Sequence, residues 1–298
     1  MLALIVGLVL SAQPAPDPAV LVKEGQKLMQ AGKIDAAEPL FRKAVALDGK
    51  LYDGHYALGR LLDLKGNYAE ARDHFGQALT TATEEQKLQI WMQTGVSWAF
   101  EGKPDEAAIW LQRRFDAEMT AKALDGAAAT ANALARIYLE AGQPEKAEQW
   151  YRTGYETARQ IEKLPADQRD LWDFRWHHAQ ARIAARRDRH DEARAHAAAA
   201  KSILDKGTNP DQASQMPYLT GYLKFYAKDY RGAIADLTKA DQTDPFVLGL
   251  IASAYEQIGN AGMARAYYAK VLESPAHTIN AAFSRPIAQR TLGGAPVR

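Results

Sequence analysis

Residues 25–44, GQKLMQAGKIDAAEPLFRKA, recur 34 positions later as residues 59–78, GRLLDLKGNYAEARDHFGQA. Five residue types keep the same register in the two segments: Gly25, Leu28, Ala37, Phe41 and Ala44 correspond to Gly59, Leu62, Ala71, Phe75 and Ala78. Self-similarity at a fixed period of this size is the signature of stacked supersecondary units. The sequence therefore predicts a repeat array, which grows along one axis without a single central core.

Five further copies of the pattern follow with unequal spacing. One alanine marks the same position in all seven copies: Ala37, Ala71, Ala107, Ala147, Ala193, Ala233 and Ala264. The steps between these alanines are 34, 36, 40, 46, 40 and 31 residues, so the third to sixth copies have longer helices or connections. We expect one extended helix over residues 145–163, an interruption at Pro165 and a new helix near Asp167.

A turn signal lies five residues before that alanine in five copies. It is glycine in each: Gly32, Gly66, Gly102, Gly142 and Gly259. Glycine adopts the left-handed conformation that ends a helix at little cost. Pro104 and Pro144 follow two of these glycines, where proline is suited to the first position of the next helix. Each copy is therefore predicted to be a helix–turn–helix unit.

A 34-residue helical unit with this pattern resembles the tetratricopeptide repeat. The resemblance covers roughly residues 18–276 and implies an all-α fold, a right-handed α-solenoid of antiparallel helix pairs. The expected organisation has seven repeats over residues 17–276 and a capping helix with the C-terminus over residues 277–298. A cap is expected because a solenoid leaves its last apolar face open. Pro286 is expected to kink or shorten it.

The N-terminus carries an apolar run, Leu2–Leu10, followed by Ser11 and Ala12. Nine residues are too few to cross a bilayer, which needs about 20. The run has the length of a signal-peptide core, although no lysine or arginine precedes it. Residues 1–16 are therefore predicted to be a signal peptide or an N-terminal apolar segment. The first alternative places the protein in the periplasm or another extracytoplasmic space, and the second in the cytoplasm.

Composition narrows the classes of function. The chain has 37 basic and 36 acidic residues, a formal net charge of +1, and no cysteine. Nucleic-acid binders usually show a basic excess with a clustered footprint, so a nucleic-acid partner is not expected. The lack of cysteine excludes thiolate metal sites and cysteine nucleophiles. No stable membrane span is expected either.

Four histidines are the residues to consider for catalysis or metal binding. His190 and His196 bracket an acidic pair, but histidines six positions apart point in different directions on a helix. His177 and His178 are adjacent, and adjacent helical residues do not face one ligand. No phosphate-binding loop, dinucleotide fingerprint or serine elbow is present. We therefore expect no enzymatic activity, no metal and no cofactor.

The resemblance implies that certain positions of each first helix line a concave groove. Arg175, His178, Arg182 and Arg186 form one helical stripe, and Arg136 of the preceding repeat extends it. The sixth repeat adds aromatic residues, namely Tyr218, Tyr222, Phe225 and Tyr226. Arginine binds carboxylates in a bidentate manner, and tyrosine and arginine are frequent binding hot spots. The alternative is that the arginines pair with nearby carboxylates such as Asp173 or Asp188.

These features predict a non-catalytic protein–protein interaction scaffold. Its groove would bind an extended peptide or partner helix with acidic and hydrophobic side chains, in the bacterial periplasm or envelope. A cytosolic peptide-sensing regulatory protein is the alternative. A regulatory subunit of an enzyme is a minor third possibility.

Overall fold

The computed structural model describes residues 16–293, in which every regular element is helical. Within these residues, seven antiparallel helix pairs follow one another along the chain. The first four pairs are α1 Pro18–Gln30 with α2 Ile34–Leu47, α3 Tyr52–Lys65 with α4 Tyr68–Thr81, α5 Glu84–Phe100 with α6 Pro104–Thr120, and α7 Leu124–Glu140 with α8 Pro144–Ala158. The last three pairs are α9 Ala166–Arg186 with α10 His190–Leu204, α11 Gln215–Tyr226 with α12 Tyr230–Leu237, and α13 Pro245–Gln257 with α14 Ala261–Glu273. A 3₁₀ helix, Pro210–Ser214, precedes α11, and two short helices, α15 Ile279–Ala282 and α16 Arg285–Thr291, follow α14. The predicted all-α solenoid of helix pairs is confirmed. The predicted signal peptide lies, except for Pro16, outside the described residues.

The turn inside each pair has the predicted left-handed residue. The five glycines have φ between +73° and +88°. In the fifth and sixth pairs the same position is taken by Asp188 and Lys228, with φ of +55° and +63°. The turn geometry is therefore common to all seven pairs, although only five of them have the residue that adopts it without strain.

Small residues allow the two helices of a pair to approach closely. A Cβ atom added to Gly25 would lie 2.5 Å from Cε1 of Phe41, and one added to Gly59 would lie 2.7 Å from Cε1 of Phe75. Both phenylalanines are buried, with at most 1% of their surface exposed. Each aromatic ring thus occupies the space that the glycine leaves on the facing helix, which explains why the two residues recur together.

The predicted long helix over residues 145–163 is wrong. Helix α8 ends at Ala158, and the chain then turns through hydrogen bonds from the backbone N–H of Gln160 and Ile161 to the carbonyls three residues earlier. The turn brings Leu164 against a buried cluster around Trp172. Burial of these apolar side chains compensates for the lost helical hydrogen bonds. Helix α9 begins at Ala166, one residue from the predicted start near Asp167.

The C-terminal segment both caps the array and turns back into it. Helix α16 places Ala288 and Leu292 against the last repeat, beside Tyr268 and Val271. Pro286 lies in the first turn of α16, where proline is tolerated, and the C-terminal segment is divided into two short helices before it. Helix α15 instead contacts α5, α7 and α13. Within residues 16–293, no helix has both the length and the apolar character needed to span a membrane.

Candidate functional site: the concave chamber

The concave side of the described residues holds a chamber of about 600 Å³. Helices α5, α7 and α9 form its main wall, and the 3₁₀ helix, the start of α11 and residues 277–280 close it laterally. Its lining combines apolar and polar side chains: Met92, Gln93, Val96, Ala129, Asn132, Ala133, Arg136, Tyr151, Phe174, Arg175, His178, Arg182, Gln212, Gln215, His277, Thr278, Ile279 and Asn280. The volume is in the range of small-ligand sites.

The C-terminal segment is fastened across the groove by His277. Its Nε2 lies 2.7 Å from Oδ2 of Asp63 on α3, and its Nδ1 lies 2.5 Å from the side-chain amide oxygen of Gln93 on α5. Ser97 donates a further hydrogen bond of 2.8 Å to Asp63. Burial lowers the pKa of His277 and raises that of Asp63, and their mutual contact opposes both shifts.

A second fastening point is Arg285 at the start of α16. Its Nε donates to the carbonyl of Leu64 at 2.7 Å, and its Nη1 donates to the carbonyls of Leu272 and Ser274, both at 3.0 Å. Gln289 donates to the same Leu64 carbonyl at 3.0 Å. The second and seventh repeats are thereby joined, so the solenoid closes on itself through its C-terminal segment.

The predicted basic stripe divides between two places. Arg136, Arg175, His178 and Arg182 line the chamber, as the sequence placed them, whereas Arg186 lines a second cavity of about 200 Å³. Three of the four arginines meet one carboxylate, Glu140 at the end of α7. Its oxygens lie 3.1 Å from Nε of Arg136, 3.9 Å from Nη1 of Arg182 and 3.6 Å from Nη1 of Arg186. The alternative that the arginines pair with nearby carboxylates therefore agrees with the structure for three of them, although the carboxylate is Glu140 and Asp173 instead accepts from Tyr155.

These arginines also contact aromatic side chains. Arg182 donates to the hydroxyl of Tyr151 at 2.9 Å, and Arg186 donates to the hydroxyl of Tyr226 at 2.5 Å. The guanidinium of Arg136 lies 4.5 Å from the ring centre of Phe246, and that of Arg175 lies 4.8 Å from the ring centre of Trp172. These cation–π contacts hold the charged groups against apolar surface.

His178 is buried between rings and cations. Its ring stacks on that of Tyr218 at 5.7 Å between centres, and its Nε2 has no hydrogen-bond partner within residues 16–293. Burial lowers the pKa of His178 well below its usual value, and the positive charges of Arg182 and Arg136 lower it further. His178 is therefore a neutral imidazole at neutral pH, and its Nε2 is a buried polar atom.

The four aromatic residues of the sixth repeat do not form the exposed surface that was expected. Tyr222 is completely buried and Tyr218 is 8% exposed. Phe225 and Tyr226 line the second cavity with Arg186, while Tyr218 lines a smaller cavity of about 90 Å³ behind Arg136. Their rings pack against one another because α11 faces the next repeat, so packing and not ligand contact accounts for Tyr222.

Sequence reasoning missed Glu140 and His277. Glu140 stands four residues after Arg136 on one helix, and this spacing alone predicts an ion pair. No comparable local signal exists for His277, because its partners Asp63 and Gln93 are 214 and 184 positions away.

The other histidines lie away from the chamber. Nδ1 of His177 is 3.0 Å from Nδ1 of His196, and the same arrangement joins His55 and His74 at 2.8 Å. Each pair links the two helices of one repeat, so His196 contacts His177 and not His190. Among the described residues, no group of three or more histidines or acids is placed to hold a metal ion.

A closed helical-repeat array with a lined concave chamber defines the class of α-solenoid interaction scaffolds. Three stretches match the family described as Tetratricopeptide repeat: residues 22–87, 127–163 and 247–277. The chain belongs to the tetratricopeptide repeat proteins, as its repeat pattern predicted.

Comparison with solved structures agrees on the fold. The apo form of RapI has a TM-score of 0.57 at 11% sequence identity, with 93% of this chain and 99% of RapI covered. A tetratricopeptide repeat protein from Parabacteroides merdae ATCC 43184 has a TM-score of 0.53 at 14% identity, with 86% and 93% covered. A search of curated proteins gave no match. At these identities the likeness concerns the fold alone.

Proposed function

We propose that this protein is a non-catalytic scaffold whose concave chamber binds an extended peptide or a partner helix with acidic and hydrophobic side chains. One observation carries the proposal: the chamber places cationic side chains and apolar walls side by side. Arg136, Arg175 and Arg182 supply positive charge, while Met92 and Phe174 belong to the apolar part of the wall. Binding hot spots are enriched in such arginine and aromatic positions.

Charge complementarity supports an acidic ligand. Within residues 16–293, Arg175 forms no ion pair, and its guanidinium packs on the ring of Trp172. Charged groups in a concave site with apolar walls attract ligands of opposite sign more strongly than the same groups on an open surface. An acidic side chain at Arg175 and an apolar one near Met92 would use both parts of the wall.

A pull-down comparison tests this function. The full-length chain would be immobilised and incubated with envelope and cytosolic fractions, beside an Arg175→Glu/Met92→Glu variant and a Lys201→Glu control. Lys201 is an exposed residue of α10 that pairs only with Asp205. Arg182 and Arg186 are left intact because their burial makes charge reversal there incompatible with folding.

A partner recovered by the wild type and the control but lost by the chamber variant would support the proposal. Equal recovery by all three proteins would contradict it and would direct attention to the convex face. Circular dichroism of the three proteins is needed so that loss of binding is not confused with loss of folding.

We also propose that the protein is exported to the periplasm or envelope. The support is the apolar run Leu2–Leu10 followed by small residues, which has the length of a signal-peptide core. Expression of the full chain, cell fractionation and N-terminal sequencing test this. Recovery from the periplasm with a new N-terminus near residue 17 is expected, and a cytoplasmic protein that begins at Met1 would contradict it.

A cytosolic peptide-sensing regulator is the second candidate. It is favoured by the closure of the solenoid through His277 and Arg285, since a ligand in the chamber would contact the closing segment directly. Small-angle scattering with and without the recovered partner segment tests this candidate, which requires a change in overall dimensions on binding.

A further inference from the structure

Three guanidinium groups share one buried carboxylate beside the chamber. The side chains of Arg136, Arg182 and Arg186 are 15%, 6% and 17% exposed, and that of Glu140 is 3% exposed. Nε of Arg136 is near Glu140 but lacks the angle of a hydrogen bond, and Arg182 is 3.9 Å away. One carboxylate therefore balances the charge of three cations only in part.

The next carboxyl group does not restore the balance. Asp244 accepts hydrogen bonds from the backbone N–H of Phe246 at 2.8 Å and from the side chain of Asn280 at 2.6 Å. Burial raises its pKa, which opposes its ionisation. When Asp244 is ionised, the buried groups Arg136, Arg182, Arg186, Glu140 and Asp244 still retain one positive charge in excess, and Asp241, which lines the same small cavity as Asp244, is exposed to solvent. A buried charge without a partner is costly, so the arrangement favours an additional anion.

Several polar side-chain atoms of the cluster form no hydrogen bond within residues 16–293, and they belong to residues that line the chamber. Nη2 of Arg136, Nη1 of Arg182 and Nε2 of His178 are buried and have no hydrogen-bond partner among the described residues. All three residues contribute to the chamber wall. Two guanidiniums provide N–H groups in the planar arrangement that matches the two oxygens of a carboxylate.

We propose that Arg136, His178 and Arg182 form a binding site for a single carboxylate group, carried by a molecule whose apolar part lies against Met92, Val96 and Ile279. This site deepens the proposed function, because it occupies the chamber in which the peptide is proposed to bind. One surplus positive charge matches the single negative charge of a carboxylate better than the two charges of a phosphate monoester.

Two sources can supply that carboxylate, a free amphiphilic acid or an acidic side chain of a bound peptide. Isothermal titration of the full-length protein distinguishes them with two matched probe pairs. The first pair is octanoate with octanamide, and the second is acetyl-Leu-Glu-Leu-amide with acetyl-Leu-Gln-Leu-amide. The charged member of at least one pair is expected to bind about tenfold or more tightly than its neutral analogue.

Single substitutions test whether the carboxylate binds at the site formed by Arg136, His178 and Arg182. Arg182→Met is expected to weaken binding of the charged probe by about tenfold to a hundredfold, because it removes a charge-assisted hydrogen bond. Glu140→Gln is expected to strengthen binding, since it removes the carboxylate that contacts all three arginines. Arg187→Gln is the control, because Arg187 pairs with Glu145 and Glu148 and does not line the chamber.

If Arg182→Met fails to fold, two other variants test the proposal: Glu140→Gln is expected to strengthen carboxylate binding, and Arg136→Gln, at a less buried arginine of the same site, is expected to weaken it. Equal binding of the charged and neutral members of both pairs would overturn the proposal, as would weaker carboxylate binding by a folded Glu140→Gln protein. Carboxylate binding by a protein that recovers no partner in the pull-down would overturn the peptide function alone.

Discussion

Nε2 of His277 lies 2.7 Å from Oδ2 of Asp63, although the two residues are 214 positions apart, and both side chains are fully buried. This contact fastens the segment after the seventh repeat to the second repeat. In an open array each repeat contacts only its neighbours. Here the contact adds a long-range interaction between the second repeat and the segment after the seventh repeat. The chamber owes one of its walls, residues 277–280, to this closure.

Replacement of His277 by alanine should therefore cost stability. Among the described residues, the variant leaves the hydroxyl of Ser97 as the remaining side-chain hydrogen-bond partner of buried Asp63, and loss of a partner by a buried polar group costs about 1–3 kcal/mol. Urea denaturation of wild type and His277→Ala measures the change in unfolding free energy. His190→Ala, which alters the start of α10 away from the closure, is the control. An unchanged midpoint would show that the closure contributes nothing to stability.

The turn residue of the sixth repeat offers a stabilising substitution. Lys228 has φ of +63°, in a position that is glycine in five other repeats. Because a residue with a Cβ atom is strained there, Lys228→Gly is expected to raise the unfolding free energy by about 0.5–1 kcal/mol. Gly66→Ala, the reverse change in the second repeat, should lower it. Thermal unfolding of both variants measures the effects, and opposite signs are required.

Close helix packing predicts different results for two glycines of the second repeat. A Cβ atom on Gly59 would lie 2.7 Å from the ring of Phe75, whereas one on Gly76 would meet nothing within 4 Å. Gly59→Ala should destabilise the protein by about 1–3 kcal/mol through overpacking. Gly76→Ala should stabilise it by about 0.5–1 kcal/mol, because alanine is the better helix former. Chemical denaturation compares the two, and equal effects would contradict this packing.

The buried imidazole of His178 predicts a loss of stability in mild acid. Its pKa in the folded protein is well below 6.5, so below pH 6.5 the unfolded chain binds a proton that the folded protein does not. Stability from this residue is therefore present above pH 6.5 and falls by about 1.4 kcal/mol for each pH unit below it. Unfolding free energies of wild type and His178→Gln between pH 5 and 8 test this. Identical slopes below pH 6.5 would contradict the assignment.

The local sequence determined the helix pair of each repeat. The glycine turns, the small residues opposite phenylalanine and the prolines at helix starts act within about 40 residues, so each repeat specifies its own helix pair. The same periodicity located the basic stripe. Four of its five members line the chamber, because helical spacing alone decides that residues such as Arg175 and Arg182 share a face.

Tertiary structure decided how the array closes. The spacing between repeats varies from 31 to 46 residues, and small differences in the packing of successive pairs accumulate over seven of them. Whether His277 reaches Asp63, and whether three arginines converge on Glu140, depends on that accumulated path and not on any local pattern. The sequence by itself determined the helix pairs and their faces. The chamber could not be predicted from the sequence, because its walls come from residues that are distant in the chain and meet only in the folded solenoid.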